Sequence, residues 1–336
     1  MTDIVTVPDP AAAPALRWGI MGPGGIARRF AREIPAYTAS RIHAVGSRSE
    51  TRARAFADEF GIDKAYGSYE ALVADPDVDA VYVASPHSEH RDHALLALEA
   101  GKPVLVEKAF AADAAQAGEV FDAARRRGLF AMEAMWSRFL PHYRTLNALV
   151  EAGALGEIVS AYAVHCQSLD MDPARRLVNP ALAGGALLDL GVYPISLFHL
   201  LFGVPSEIFA TGVLTDSGVD RRETVVLRYA GLDATGIHDM TAQGLSNACI
   251  TGTSARIEIG DWFYTPNDLV LRPLGGEAQV LPTRVEGGFQ FEAAEAARCI
   301  AEGRLESEIM TWRDTLDVMA TMDEVRRLLG VRFPER

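Results

Sequence analysis

From residue 17 to about residue 132, short apolar runs rich in β-formers alternate with stretches whose apolar residues recur at helical spacing. Strands are predicted over 18–21, 41–47, 80–84, 103–107 and 129–132. Helices are predicted between them, among them 49–60 with Ser49 as N-cap and 112–127 closed by Gly128. Alternation of this kind implies a parallel sheet covered by helices on both faces, a doubly wound α/β arrangement.

The pattern changes after residue 133. A helix near 141–151 and a strand near 157–167 precede a glycine tract at 184–194. Strand-like runs at 207–214, 223–229, 234–241, 247–251, 255–259 and 269–274 then follow with no helix between them. Strands in succession imply a large, mostly antiparallel open sheet with helices on one face, an α+β domain. Helices at 289–302 and 312–329 close the chain. Residues 1 to about 15 hold Pro8, Pro10, Pro14 and an alanine run, and a loose tail is expected there. The expected division is a disordered tail (1–16), a dinucleotide-binding domain of Rossmann type (17–133) and a substrate-binding and oligomerisation domain (134–336).

Composition narrows the function classes. A chain of 336 residues, 49% apolar, is long enough for two cores. Its net charge of −13 excludes a phosphate-binding surface of the nucleic-acid type and favours a neutral small molecule. Cys166, Cys249 and Cys299 have no metal-ligand spacing and suit a reducing compartment. No run of about 18 apolar residues and no basic leader followed by an apolar core is recognised, so a cytoplasmic location without a membrane partner is expected.

Gly22-Pro23-Gly24-Gly25-Ile26-Ala27 follows the first predicted strand and opens a helix, the G-x-G-x-x-A form of the dinucleotide fingerprint. Gly22 allows the tight turn, Gly24 lets the backbone approach a pyrophosphate, and Ala27 permits close helix packing. The helix N-terminus then presents free N–H groups and a positive dipole to the phosphates. About 20 residues on, where an acid would hold the ribose hydroxyls, the chain has Ser47 and Arg48 instead. Ser47 can donate to a 2′-phosphate and Arg48 can add charge and a flat face for adenine, so NADP(H) is expected over NAD(H). Arg52, one turn further, is a candidate for the same site.

Lys108 ends the apolar run Val104-Leu105-Val106-Glu107 at the carboxyl end of a parallel strand, where such sheets bind ligands. A lysine there can exchange a proton with an alcohol oxygen as hydride moves at the neighbouring carbon. Asp189 and Tyr193 lie four residues apart in the glycine tract, on one face if it is helical. Near a protonated lysine the Tyr193 phenolate would be stabilised, and Asp189 would orient that lysine. His87, His90 and His93 repeat at three-residue spacing, but no acid or cysteine completes a site, so no metal is assigned. Ser85, Pro86, His87 and His90 are instead expected beside the nicotinamide ribose or the substrate, with His93 structural. Trp136 and Arg138 fall at the expected domain junction, where a ring wall and a hydroxyl or phosphate contact are predicted. Arg176 is a weaker substrate candidate.

These features add up to a resemblance. Arg17-Trp18-Gly19-Ile20, the glycine turn, 65–70 (Ala-Tyr-Gly-Ser-Tyr-Glu), 128–136, the tract at 184–194 and 243–252 with its Leu-Ser-Asn core resemble the glucose-fructose oxidoreductase/inositol dehydrogenase (Gfo/Idh/MocA) family. Within that family the chain is similar to the dimeric dihydrodiol and NADP-dependent xylose dehydrogenase branch. The resemblance implies that Lys108 is the catalytic lysine, that Asp189 and Tyr193 fill its paired aspartate and histidine-or-tyrosine positions, that Gly25, Ile26 and Glu107 belong with the cofactor residues, and that the open sheet packs face to face in homodimers. It implies hydride transfer between NADP(H) and a ring carbon of a sugar or cyclic trans-dihydrodiol. Reduction of a keto sugar such as anhydrofructose, or NADPH sensing without catalysis, is the alternative. One departure is Glu107-Lys108-Ala109, where the family usually has Glu-Lys-Pro. A non-prolyl cis bond costs about 2 to 3 kcal/mol more than a prolyl one, so a trans peptide is expected.

Overall fold

A strand covered on both faces has no side left for polar residues, and four of the first six strands are buried along nearly all their length. The computed structural model describes residues 4–172 and 175–334. Its first sheet contains β1 (Arg17–Met21), β2 (Arg41–Gly46), β3 (Lys64–Tyr66), β4 (Ala80–Val83), β5 (Val104–Glu107) and β6 (Ala131–Ala134), all parallel, in the order β3-β2-β1-β4-β5-β6. The helices α1 (Gly25–Tyr37), α2 (Glu50–Phe60), α3 (Tyr69–Val73), α4 (His90–Glu99) and α5 (Ala114–Arg127) connect them. Ser49 caps α2 by accepting from the Arg52 N–H, and Asp113 caps α5 by accepting from the Gln116 N–H. Strand order reverses direction between β1 and β4, which creates the switch point where doubly wound sheets bind nucleotides. β3 and α3 were not predicted, because three and five residues are too few to show a period.

The second sheet contains β7 (Ile158–Cys166), β8 (Glu207–Leu214), β9 (Asp220–Tyr229), β10 (Leu232–Asp239), β11 (Ala248–Gly252), β12 (Ala255–Ile259), β13 (Leu269–Pro273) and β14 (Gln279–Leu281). Their order is β14-β13-β12-β11-β7-β10-β9-β8, antiparallel throughout except for the parallel pair β7 and β10. The expected mixed α/β architecture with an antiparallel second sheet is therefore what the chain adopts. One face is covered: α6 (Pro141–Glu151) precedes the sheet, and α7 (Val192–Phe202) packs on β7 and β10. The opposite face carries one registered row, Phe209, Val226, Thr235, Tyr162, Cys249, Glu258, Val270 and Val280, across all eight strands.

Three expectations change. Residues 4–16 are not a loose tail: Asp9 caps a short 3-10 helix (Pro10–Ala12), its carbonyl accepts from Arg298, Leu16 donates to Ser40, and Ala13 and Leu16 are buried. Residues 1–3 lie outside the described residues. The compact units are also discontinuous in sequence, since residues 8–136 group with 287–316, while residues 4–7, 137–286 and 317–334 form the other unit. The return arises because Leu305 and Trp312 continue the edge of the first sheet: the Ala131 N–H donates to Leu305, and Trp312 Nε1 donates back to Ala131 at 2.8 Å. Finally, Pro180–Phe202 does meet the length and hydropathy of a membrane span, but 78% of that window is buried inside the protein, where it packs on the second sheet.

α8 (Phe289–Ala301) and the start of α9 (Trp312–Leu329) complete the first unit. Trp312 stacks on Phe121, which stacks on Phe110, with ring centroids 5.3 and 4.5 Å apart. Replacing Trp312 with Ala should remove both the stack and the bond to Ala131, with an expected loss of about 3 to 5 kcal/mol. Urea unfolding measures it, and a loss below about 1 kcal/mol would mean that residues 287–316 add little to the first unit.

Candidate functional site

The glycine turn is built against the neighbouring strand end. Gly22 donates to the Gly46 carbonyl and holds φ at +100°, and a Cβ on it would lie 3.0 Å from the Ala84 carbonyl oxygen. Gly24 and Gly25 differ, since an added Cβ would meet nothing closer than 3.9 Å at the first and nothing within 4 Å at the second. Those two are bare toward open space, above a helix N-terminus that no side chain caps among the described residues. That arrangement fits a pyrophosphate on the N–H groups of α1. Ile26 is exposed beside it, and Ala27 is fully buried under the helix.

At the end of β2, Ser47 is buried and its oxygen accepts the Ser49 N–H, which leaves its hydroxyl proton for an acceptor. Arg48 and Arg52 are exposed, and both act on Tyr69, whose phenol burial pushes up while the two guanidinium charges pull it down. Their shared influence on one phenol gathers both cations at the β2 end. Tyr69, in the 65–70 run of the resemblance, was not singled out from the sequence.

The loop after β4 holds Ser85, Pro86 and His87. His93 Nδ1 lies 2.8 Å from the Ser85 hydroxyl, and burial holds this imidazole neutral, in keeping with the structural role expected of it. His90 is only 1% exposed, and its ring nitrogens lie 2.9 Å from the Ala109 carbonyl and 2.8 Å from the Ser85 carbonyl. It braces the two loops from below, which corrects the expected ligand contact.

Lys108 follows β5 and is half-buried. The Lys108-Ala109 peptide is cis, so the trans expectation is overturned; Ala109 is fully buried and its carbonyl is the one His90 holds. Glu107, expected among the cofactor residues, is 6% exposed. Its carboxylate is buried, accepts from the Tyr82 hydroxyl on one oxygen and from the Lys108 N–H on the other, and burial pushes it up to about 7. Trp136 is also enclosed: Arg29 lies 4.3 Å over its ring, Phe289 meets it edge-on, and it is 3% exposed. Its role in this unit is packing, which corrects the predicted ring wall.

In the other unit the glycine tract is a set of close approaches. A Cβ on Gly184 would lie 2.5 Å from the Leu177 carbonyl oxygen, and one on Gly191 would lie 2.7 Å from His238 Nδ1. Gly185 is tightest, at φ +121° with a Cβ 2.3 Å from Asp220 Oδ1. Asp220 in turn accepts the Leu187 N–H at 2.6 Å and is pushed up to about 7 by burial and by Glu223. Burial drives His238 down to about 3 and Glu223 well up, and the two side chains meet at 2.9 Å between Nδ1 and the carboxyl.

On that base Leu187–Gly191 forms a π-helical turn that runs into α7, and Asp189 and Tyr193 emerge four residues apart. Arg176 donates to Asp189 at 3.0 Å, so these two candidates meet each other. Tyr193 stacks on Tyr264 at 4.2 Å, with His165 beside both rings. His165 donates to the Leu190 carbonyl, and Gln167 donates to His165 Nε2 and to the Tyr264 hydroxyl. His165, Gln167 and Tyr264 were missed, and the available signal was polar His165 at an inward position of a strand. Arg138 is 1% exposed and donates to the Ser196 hydroxyl and carbonyl. It is a strut under α7, which corrects the predicted phosphate or hydroxyl contact.

A doubly wound sheet with a bare glycine turn at its switch point defines a dinucleotide-binding protein. Residues 16–135 match the oxidoreductase family with NAD-binding Rossmann fold, Gfo/Idh/MocA, and residues 143–258 match the C-terminal domain of the same family. The D-xylose 1-dehydrogenase (NADP(+)) of Hypocrea jecorina is 36% identical over 368 residues, covering 95% of this chain and 93% of its own. The trans-1,2-dihydrobenzene-1,2-diol dehydrogenase of Macaca fuscata fuscata is 36% identical over 332 residues, covering 96% and 99%. A 3-ketoreductase from Actinomadura kijaniata, solved in complex with NADP and TDP-benzene, superposes with a TM-score of 0.84 at 29% identity, covering 94% of this chain and 98% of that one. The chain belongs to the Gfo/Idh/MocA oxidoreductase family.

Gly185→Ala places a methyl group against the Asp220 carboxyl at a φ that L-residues avoid, with an expected loss of about 3 kcal/mol or more. A change under about 0.5 kcal/mol in urea unfolding would mean that the tract is not wedged as described.

Proposed function

We infer that this protein is an NADP(H)-dependent oxidoreductase acting on a CH–OH group, one that moves hydride between the nicotinamide and a ring carbon of a sugar or a cyclic trans-dihydrodiol. The observation that carries this is near-full-length likeness to a D-xylose dehydrogenase and to dihydrodiol dehydrogenases, in a chain that holds Lys108 at a strand end of a dinucleotide-binding fold and Asp189 and Tyr193 in its second unit.

The residues divide the work. The N–H groups at 25–27 take the pyrophosphate, and Ser47 and Arg48, with Arg52 beside them, take the 2′-phosphate. Ser85, Pro86 and His87 line the loop after β4 on the nicotinamide side. When bound, the cofactor accepts or donates the hydride. Oxidation of an alcohol also releases one proton, and Lys108 and Tyr193 are the groups that hold it. Arg176 fixes the Asp189 carboxylate, four residues before Tyr193, and keeps an exposed edge for a substrate hydroxyl. Keto-sugar reduction is the second reading, favoured by the 3-ketoreductase among the structural neighbours, and it is the same reaction run backwards.

The partner of the second sheet is a second copy of this chain. Its open face exposes Phe209, Tyr162 and Val280 in that registered row, with Ile237 two residues along β10 from the row's Thr235, an apolar surface that favours burial over water. A cytoplasmic location completes the reading, supported by three cysteines that are all free.

Turnover of NADP or NADPH is to be assayed against aldoses, keto sugars and cyclic trans-diols. Lys108→Met and Tyr193→Phe should each lower kcat by about 10²-fold or more. NADPH should bind more tightly than NADH, and Arg48→Ala should narrow that gap about tenfold. Equal affinity for the two cofactors sinks the NADP assignment, and tight NADPH binding without turnover on any compound favours a sensor. For the partner, sedimentation should find a dimer that Tyr162→Glu converts to monomer; a monomeric parent chain rejects the second copy.

A further inference from the structure

The rim of the first sheet opposite the glycine turn carries a cluster that the proposed hydride and proton steps do not use. The parallel strands start there: β2 brings His43, β3 brings Lys64 and Tyr66, and the loop between α3 and β4 brings Asp75 and Asp77. The Asp77 N–H donates to Asp75 Oδ1 at 2.9 Å across Pro76, and Lys102 donates to the Asp75 carbonyl at 3.0 Å, so this loop is held in place. The Tyr66 hydroxyl donates to Asp75 Oδ2 at 3.0 Å, and Arg17 donates to Asp77 Oδ1 at 2.9 Å. Each carboxylate is thus oriented by another side chain, as metal-binding carboxylates are.

His43 is 6% exposed, and neither of its ring nitrogens has a hydrogen-bond partner among the described residues. A buried polar group left in that state is costly, and a ligand that completes it removes the cost. Nε2 is aimed at the acids, 3.5 Å from Asp75 Oδ2 and 4.0 Å from Asp77 Oδ2, and one donor atom from each of the three residues lies within 4.8 Å of the other two. Ligands on a tetrahedral zinc ion lie about 3.4 Å apart, so these atoms need only a small contraction. The Lys64 ammonium marks where a cation is wanted: Nζ is 3.1 Å from both Asp75 oxygens and 3.0 Å from Asp77 Oδ2. It satisfies the two acids and leaves the imidazole unmet, whereas a divalent ion satisfies all three. Its flexible stem is 36% exposed, so the ammonium can turn out into water.

We propose that His43 Nε2, Asp75 and Asp77 bind a first-row divalent cation of the zinc type, and that the ion takes the place of the Lys64 ammonium. An imidazole beside two carboxylates suits zinc and its neighbours, while calcium and magnesium take oxygen ligands. The two carboxylates cancel the double charge of the ion, and the lone pair of a neutral imidazole supplies the third bond. Binding ties β2 to the loop before β4, so the ion stabilises the native chain by mass action. The site is independent of the functional reading given above.

Calorimetric titration of the metal-free full chain with zinc at neutral pH should give one ion per chain and a raised Tm at saturation. His43→Ala and Asp77→Asn should each weaken binding about 100-fold or more. The Asp77 side chain is half exposed, so Asp77→Asn keeps the test open should His43→Ala fail to fold, and circular dichroism reports the fold of each. Lys64→Met removes the competing charge and should tighten binding about tenfold. Cobalt in place of zinc should give visible bands without the near-ultraviolet charge transfer of a thiolate ligand. No zinc bound by the parent chain, binding unchanged in Asp77→Asn, or a thiolate band overturns the site. Unchanged affinity in Lys64→Met overturns the exchange of ion for ammonium.

Discussion

A parallel strand covered on both faces can carry a charged side chain only at its ends, and the arrangement of the first unit follows from that constraint. β4 and β5 are buried without interruption, so the groups able to do chemistry collect where these strands stop, at Ser85 to His87 and at Glu107 to Lys108. The glycine turn after β1 faces the same edge because β1 pairs with β4, and Gly22 sits against the Ala84 carbonyl. The result is a phosphate-binding helix end and a lysine on one rim of one sheet.

The second unit solves a related problem with packing in place of strand ends. Asp220, Glu223 and His238 lie under the glycine tract with almost no contact with solvent, and the backbone of 184–191 passes over them with no room for a Cβ at Gly184, Gly185 or Gly191. Burial keeps this trio largely neutral, so it braces the tract through hydrogen bonds and contact and not through charge. Asp189 and Tyr193 are held on that platform. The glycines are thus fitted to the floor on which Asp189 and Tyr193 stand.

Enclosure separates residues sunk into the core from residues that keep atoms at the surface. His90, Arg138 and Trp136 carry groups that recognise sugars, phosphates and rings, yet each is spent on its own unit: His90 on two carbonyls, Arg138 on Ser196, Trp136 on Arg29 and Phe289. Ser47, Arg48, Arg52, Lys108, Arg176 and Asp189 keep exposed or partly exposed atoms, apart from Ser47, whose buried hydroxyl retains its proton. Chemical type alone does not tell these groups apart, because the same guanidinium can be a strut or a hand.

Local sequence determined the alternation of strands and helices, the glycine turn, the caps Ser49 and Asp113 and the lysine at the end of β5, since each depends on residues a few positions apart. It also marked the antiparallel character of the second sheet, because strands with no helix between them can only turn back. Tertiary structure decided the rest. The parallel pairing of β7 with β10 joins strands more than 60 residues apart, roughly the reach at which local pattern carries no information. The return of 287–316 to the first unit and the order in residues 4–16 depend on groups brought together from distant parts of the chain. Pattern records which face of an element must be buried, and only the folded chain records what lies against that face.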